Sequence, residues 1–283
     1  MIEVAEKKPK VSVCVVTYNQ EKYIRQCLQS IVDLETDFDF EVIVGEDCST
    51  DGTRSVIRAF VVKYPNIVNP IFRDTNIGAM NNFADILSVA NGNYIALCEG
   101  DDYWTDPYKL QKQVDFLEGN PDCSLCFHAT EYVHNDSRKN FIHRPKNIPK
   151  NSKFEIKHAI LGGGGFMATN SMVFLREHLN NRPEWMNKAP VGDGPLMLLL
   201  ASKGKIGYID QVMSVYRIMT GNSWSSAMQD WQKRKKHHYA ILKMWDSFDE
   251  WSGYKYHSYV RLKKLKNIFN YYKGLLAAWF PKG

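Results

Sequence analysis

Apolar residues recur along the first 120 or so positions in two rhythms that alternate. Val11 to Val16 is a β-branched run after a charged leader and predicts a strand. Tyr23, Ile24, Cys27, Leu28 and Ile31 then fall at three- and four-residue steps and predict a helix. The pair repeats. Phe40 to Val44 is a second strand, and Val56, Ile57, Phe60 and Val61 mark a second helix. Ile67 to Phe72 is a third strand, and Phe83, Ile86, Leu87 and Ala90 a third helix closed by Asn91-Gly92-Asn93. Tyr94 to Cys98 is apolar throughout, as in a strand covered on both faces. Thr105-Asp106-Pro107 is a helix start, and Leu110, Val114 and Leu117 give that helix its buried stripe. Strand–helix alternation of this kind predicts a Rossmann-like, mostly parallel sheet in an α/β fold, with helices on both faces.

Beyond this point the rhythm loosens. Cys123 to Val133 reads as another strand, Asn135 to Lys153 as a polar, basic loop, and Gly162 to Gly165 as a four-glycine hinge or turn. Ser171 to Leu175 is expected as a strand, Pro195 to Ser202 as a helix and Ile206 to Ile209 as a strand. The last fifty residues are helical and basic. Residues 1–225 are therefore expected to form the main domain, in two halves of about 10–130 and 131–225, with 226–283 as a helical extension.

Charge sharpens that division. The 283 residues carry a net +5, yet Trp231 to the end holds 12 Lys/Arg against three Asp/Glu. The remainder is net acidic, so the tail is the part suited to an anionic partner. With 44% hydrophobic and 24% charged residues the chain is globular in composition, and no apolar run approaches the ~18 residues of a membrane span. No secretory pattern is read ahead of the six cysteines, which are expected as reduced, mostly buried thiols of a cytoplasmic protein. The lone Cys123-x-x-Cys126 lacks a second pair at zinc spacing and reads as structural.

Candidate chemistry begins where the fourth strand ends, at Glu99-Gly100-Asp101-Asp102. Ligands of open α/β sheets bind at the carboxyl ends of strands. Adjacent carboxylates there repel unless a cation joins them, and hard oxygens suit Mg²⁺ or Mn²⁺ bound with substrate phosphates. An acidic turn capping the next helix accounts for the same residues equally well. No G-x-G-x-x-G follows the first strand, which argues against a dehydrogenase, and Gly204-Lys205 lacks P-loop spacing.

Three segments together resemble family 2 glycosyltransferases, inverting enzymes of the GT-A nucleotide-sugar fold. They are Val11-Ser12-Val13-Cys14-Val15-Val16-Thr17-Tyr18-Asn19, Val44-Gly45-Glu46-Asp47-Cys48-Ser49-Thr50-Asp51-Gly52-Thr53, and Glu99-Gly100-Asp101-Asp102-Tyr103-Trp104. Val191-Gly192-Asp193-Gly194 and Val215-Tyr216-Arg217 are later landmarks, so the likeness covers roughly residues 10–225. The resemblance implies that Tyr18 stacks on a nucleobase, with Thr17 and Asn19 bonding the nucleoside. It implies that Asp47 accepts the imide N–H of uracil or a related base, although turn capping is an alternative for Asp47, and a plain loop role for Asn76, the other donor-site candidate. Asp102 is implied as the direct metal ligand, with Asp101 bonding the ribose or supporting the metal through water. Asp193 is implied as the catalytic base; helix capping is the competing reading. Many relatives place a metal-ligating His after the Tyr-Arg pair, where this chain has Met219, a poor ligand for Mg²⁺ or Mn²⁺. Arg217 and Asn222 are candidates for phosphate or acceptor contact.

The activity so implied is transfer of a single sugar from a nucleotide-diphosphate sugar, UDP-linked, to a glycan or lipid-linked acceptor in bacterial surface polysaccharide synthesis. A degenerate transferase acting as an assembly subunit and a sugar nucleotidyltransferase are the alternatives. The tail fits the first reading. Leu262, Leu265, Ile268, Phe269, Tyr272, Leu275, Leu276 and Trp279 form a stripe flanked by Arg261, Lys263, Lys264, Lys266 and Lys273. Such a helix suits the surface of an anionic membrane, here the inner face of the cell membrane. Packing on the main domain or on a second copy of the chain is the alternative. No nucleic-acid-binding module accompanies the charge.

Overall fold

The computed structural model describes residues 8–134, 138–145, 152–218, 220–221, 226 and 228–279. Its sheet runs β3-β2-β1-β4-β9-β6-β10-β5. The first four are β1 (Val11–Thr17), β2 (Phe40–Glu46), β3 (Val68–Phe72) and β4 (Tyr94–Glu99), all mutually parallel. Pro70 lies in β3, the edge strand of this half, where a missing N–H is tolerated. The alternating segments form α1 (Glu21–Val32), α2 (Thr53–Lys63), α3 (Ala79–Val89) and α4 (Lys109–Glu118).

Side-chain alternation decides which helices cover which face. In β1, Val11, Val13 and Val15 join Ile24, Leu28 and Ile57 of α1 and α2, whereas Cys14 joins Ile86 and Leu87 of α3. In β4, Tyr94, Ala96 and Cys98 face the first group, and Ile95 and Leu97 the second. The sheet is thus buried on both faces, as its near-continuous apolar strands predict.

The second half departs from the expected boundaries. β5 (Tyr103–Trp104) pairs antiparallel with β10 (Lys205–Ile218), which is parallel to β6 (Cys123–His134). The predicted strand Ile206–Ile209 is only the front of β10, whose register shifts on both sides of Val212 carry it past polar Asp210 and Gln211. The strand expected from Ser171 begins later: Thr169–Ser171 is a 3₁₀ turn, and only Val173–Leu175 forms β9, antiparallel to both β4 and β6. β7 (Phe141–His143) and β8 (Lys153–Phe154) lie where a loop was expected; residues 135–137 and 146–151 of that segment are outside the described residues. α5 (Ile156–Gly162) runs into a 3₁₀ turn, Gly163–Gly165, so the four glycines are a helix end and a turn. α6 spans Asp193–Lys203.

The tail forms α7 (Trp231–Trp251) and α8 (His257–Trp279). Asp230 caps α7 by accepting the Lys233 N–H at 2.7 Å. Met244, Trp245, Phe248 and Val260 belong to the same buried cluster as Leu97, Leu125 and Leu196. The extension therefore packs on the α3/α6 face of the sheet. Its outward residues include large apolar ones: Leu262, Leu265, Phe269 and Tyr272 are each more than half exposed. Among the described residues no helix is long and apolar enough to cross a membrane. All six cysteines are free, and burial pushes the Cys126 thiol up to about 12 and raises that of Cys123, as suits structural thiols.

Candidate active site

The carboxyl ends of β1, β2 and β4 gather the site. At the end of β1, Thr17 is buried and Tyr18 is 39% exposed, its ring available at the rim. Asn19 has φ of +51°, and its Oδ1 accepts the Thr50 N–H at 2.8 Å while its own N–H donates to Ser49 Oγ at 3.0 Å. Asn19 thus pins the loop after β2. Asp47, only 2% exposed, accepts from Ile77 N at 2.8 Å and Gly78 N at 2.9 Å. Asn76 Nδ2 donates to Asp47 O at 3.0 Å. Gly78 reaches this arrangement with φ of +86°, a backbone state that favours glycine. The Asp47 carboxylate therefore organises the turn into α3, the capping role that its turn-rich sequence also allowed.

The paired aspartates make different bonds. Asp102 is 1% exposed, and both of its oxygens are engaged inward: Oδ1 accepts the Arg217 N–H at 2.8 Å and Oδ2 accepts Asn170 Nδ2 at 2.9 Å. Asn170 continues the network, donating to Val215 O and accepting from Ser214 Oγ. Asp102 thereby ties the end of β4 to β10 and stands behind the site. These bonds engage one lone pair of each oxygen and leave a second on each, so they orient the carboxylate without barring a cation; burial and the charges of Glu99 and Asp101 raise its carboxyl well above the usual range. Asp101 Oδ2 accepts from Thr220 Oγ1 at 2.7 Å. Arg217 donates to Asp101 O and Gln26 Oε1 and stacks over Tyr103, so its guanidinium holds the turn together. Met219 and Asn222 lie outside the described residues.

Glu99 is the residue that sequence reasoning passed over. It ends β4 and lines a cavity of about 910 Å³ together with Asp193. Its Oε2 is buried without a hydrogen-bond partner. Burial first, then the charges of Asp101 and Asp193, push its carboxyl up to about 8. Asp193 opens α6 rather than preceding it, accepts the Gly194 N–H at 2.7 Å, and is raised by burial. Tyr132 and Tyr216, rings 4.9 Å apart, stand on the cavity wall. Val16, Leu97 and Phe83 give it apolar lining, and α7 and α8 contribute Arg234, Ile241, Trp245 and Lys263 to the same cavity. The structure thus brings Glu99 and Asp193 into one cavity, with Asp101 close enough to raise the Glu99 carboxyl although it does not line that cavity. Thr17, Tyr18, Asn19, Asp47 and Asn76 form a neighbouring cluster that does not line this cavity. The only signal for Glu99 was its spacing, two residues before Asp101 at the end of an apolar strand.

Comparison with known proteins agrees with this architecture. Residues 12–182 match the glycosyl transferase family 2 model. The uncharacterized protein Rv1520 of Mycobacterium tuberculosis (strain ATCC 25618 / H37Rv) is 39% identical over 224 residues, which cover 79% of this chain and 63% of that protein. The match thus spans less than two thirds of that relative's length. Among solved structures, Staphylococcus aureus TarS 1–349 in complex with UDP-GlcNAc aligns with a TM-score of 0.62 at 20% identity, covering 83% of this chain and 65% of that one. A mannosyltransferase of Pyrobaculum calidifontis, in complex with GDP-Man and Mn²⁺, aligns at 0.57 and 16% identity over 98% and 82%. A strand-ended carboxylate cluster on a mostly parallel sheet of this topology is a GT-A fold. The chain belongs to glycosyl transferase family 2.

Proposed function

We propose that the protein transfers a single sugar, with inversion, from a nucleotide-diphosphate sugar to an acceptor hydroxyl. The observation that carries this reading is the meeting of Asp193 and Glu99 in one cavity, with Asp101 beside them. Tyr18 supplies a ring for the base, and the loops organised by Asn19, Asp47 and Asn76 frame the nucleoside. UDP is the proposed nucleotide, and a glycan or lipid-linked sugar of a bacterial surface polysaccharide the proposed acceptor.

A divalent cation, Mn²⁺ or Mg²⁺, fits the residues present. Three carboxylates share a buried region, and the unpartnered Glu99 Oε2 is a hard oxygen donor. Glu99 and Asp101 would hold the ion. Among the described residues no group of three or more His, Cys, Asp or Glu is placed to hold a metal, so phosphates or water would complete the shell. When bound, the ion neutralises the departing nucleoside diphosphate. Asp193 stands at the mouth of α6, where the positive helix end favours its charged form. There it takes the proton of the acceptor hydroxyl as that oxygen attacks the anomeric carbon. A single base outside the metal pair suits direct displacement and inversion. The apolar lining from Val16, Leu97 and Phe83 would limit the water beside the reacting sugar.

The outward face of α8 supports peripheral contact with an anionic membrane. Leu262, Leu265, Phe269 and Tyr272 are exposed along it, with exposed Arg261, Lys266 and Lys273 beside them. The decisive experiment is Asp193→Asn, assayed for transfer with UDP-sugars and for UDP binding. Loss of transfer with UDP binding retained is expected; undiminished turnover would remove Asp193 from the chemistry.

A further inference from the structure

Two of the four glycines at 162–165 are required by the fold, and two are not. A Cβ at Gly162 would stand 2.8 Å from the Phe166 side chain. Gly163 has φ of +63°, and the Lys263 side chain lies over it. Gly164 and Gly165 differ from both. Neither has a positive φ, and a Cβ added at either meets nothing within 4 Å. Neither the backbone nor packing therefore demands glycine there. Both positions line the cavity, and Gly164 also lines a small recess with Asp193, Gly194 and Met197. The space that a side chain at 164 would fill is left open beside Asp193.

The tyrosine pair is tied to this turn. Tyr132 of β6 and Tyr216 of β10 are register partners on two parallel strands, so their side chains leave the sheet on the same face. Phe141 and His143 of β7 pack on the Tyr132 ring at 5.0 and 5.2 Å. His143 Nε2 in turn donates to Gly165 O at 2.9 Å, which fastens the glycine turn beside the tyrosines. Burial first, then the charges of Asp102, Glu99 and Asp193, raise the Tyr132 hydroxyl; burial, then Glu99 and Asp102, raise that of Tyr216. Among the described residues neither hydroxyl takes part in a hydrogen bond. Away from a bound cation, so many carboxylates repel an anionic group, and the ligand that fits this corner is neutral. Carboxylates and phenols match a rim of hydroxyls, and the tyrosine rings match a C–H face.

We infer that the turn at Gly164 and the Tyr132–Tyr216 pair form two sides of a seat for the acceptor sugar, a neutral pyranose ring that presents one hydroxyl to Asp193. This rests on the transferase reading of the cavity. Gly164 sets how close the ring comes to Asp193, because any side chain there would occupy the same space. The two phenols bond the ring's other hydroxyls and fix its orientation. The glycine turn is thus a specificity element rather than a hinge.

The test uses the full chain with UDP and Mg²⁺ and reads saturation-transfer NMR. The probes are the methyl pyranosides of glucose, galactose, mannose and N-acetylglucosamine, with open-chain glucitol as the control. At least one pyranoside is expected to bind, and glucitol is not. Gly164→Val should weaken that binding about tenfold or more, and Tyr132→Phe and Tyr216→Phe about fivefold each. Gly164→Ala should also weaken it while keeping the parent's melting temperature, whereas Gly163→Ala, at a positive φ, should melt lower. The alanine variant keeps the test open should Gly164→Val fail to fold. The inference is overturned if no pyranoside binds, or if glucitol binds as well. It is equally overturned if the Gly164 variants, or both phenylalanine variants, keep the parent's affinity. A thermal shift of the parent by UDP with Mn²⁺ separates the two readings. Its absence would sink the transferase reading; its presence without pyranoside binding would sink the seat alone.

Discussion

The two sides of the site are built on opposite principles. On the nucleoside side, Asn19, Asp47 and Asn76 are engaged in hydrogen bonds to neighbouring loops. On the cavity side, Glu99 keeps a buried oxygen without a partner, and Glu99 and Asp193 have raised carboxyl pKa values, as do the nearby Asp101 and Asp102. The first region is finished by the chain itself, so its residues hold loops in shape. The second holds carboxyls whose charged forms burial disfavours, and a cation would restore those charged forms. Polar residues with similar motif credentials thus divide into those that support the site and those that face the reaction.

Substitutions should separate the two sides. Asp193→Asn is expected to reduce transfer by about 10²–10⁴-fold, the range for a lost general base, with the melting temperature little changed. A loss confined to KM would place Asp193 in binding instead. Asp47→Ala removes an acceptor from two backbone N–H groups and should lower stability by about 1.5–3 kcal/mol, read by denaturant unfolding. An unchanged midpoint would mean the loop does not depend on that carboxylate. On the tail, Phe269→Asp should weaken binding to phosphatidylglycerol vesicles by about tenfold or more, from the ~1.5–3 kcal/mol carried by a buried aromatic side chain. Equal sedimentation of variant and parent would show that α8 does not enter the bilayer surface.

A separate effect concerns Lys109, away from both sides. It is fully buried against Gln113 Oε1 and the Trp104 ring, and burial lowers its amine to about 7. Between pH 7 and the ordinary lysine value the unfolded chain holds a proton that the folded chain has released. Stability contributed by this group therefore rises with pH across that window, with a slope of at most about 1.4 kcal/mol per unit. Lys109→Met should flatten the rise in urea-unfolding midpoint from pH 7 to 10. A profile identical to the parent's would show that the amine stays charged inside.

The first half of the fold was legible because its strands and helices are short, apolar and separated by turn residues. β10 was not, because Asp210 and Gln211 interrupt its apolar run and only the bulges beside Val212 carry the strand onward. Asp101, Asp102 and Asp193 stand out in the sequence by motif position, whereas Glu99 does not. Adjacent residues point to different sides, and only the approach of Asn170 and Arg217 to Asp102 shows which side is inward. The α8 stripe was visible as periodicity. Periodicity does not say what a stripe faces, and here much of the stripe faces outward while Lys263, a flanking residue, turns in.

The central claim is that the carboxylates facing the cavity, rather than the inward Asp102, hold the cation and through it the nucleotide. The most direct measurement is UDP binding with and without Mn²⁺ in the parent, Glu99→Gln and Asp102→Asn, followed by thermal shift. UDP at a hundredfold over its dissociation constant should stabilise the parent by about 2.7 kcal/mol. The account predicts that the Mn²⁺-dependent part vanishes in Glu99→Gln and persists, on a less stable protein, in Asp102→Asn. Persistence in Glu99→Gln with loss in Asp102→Asn would contradict it.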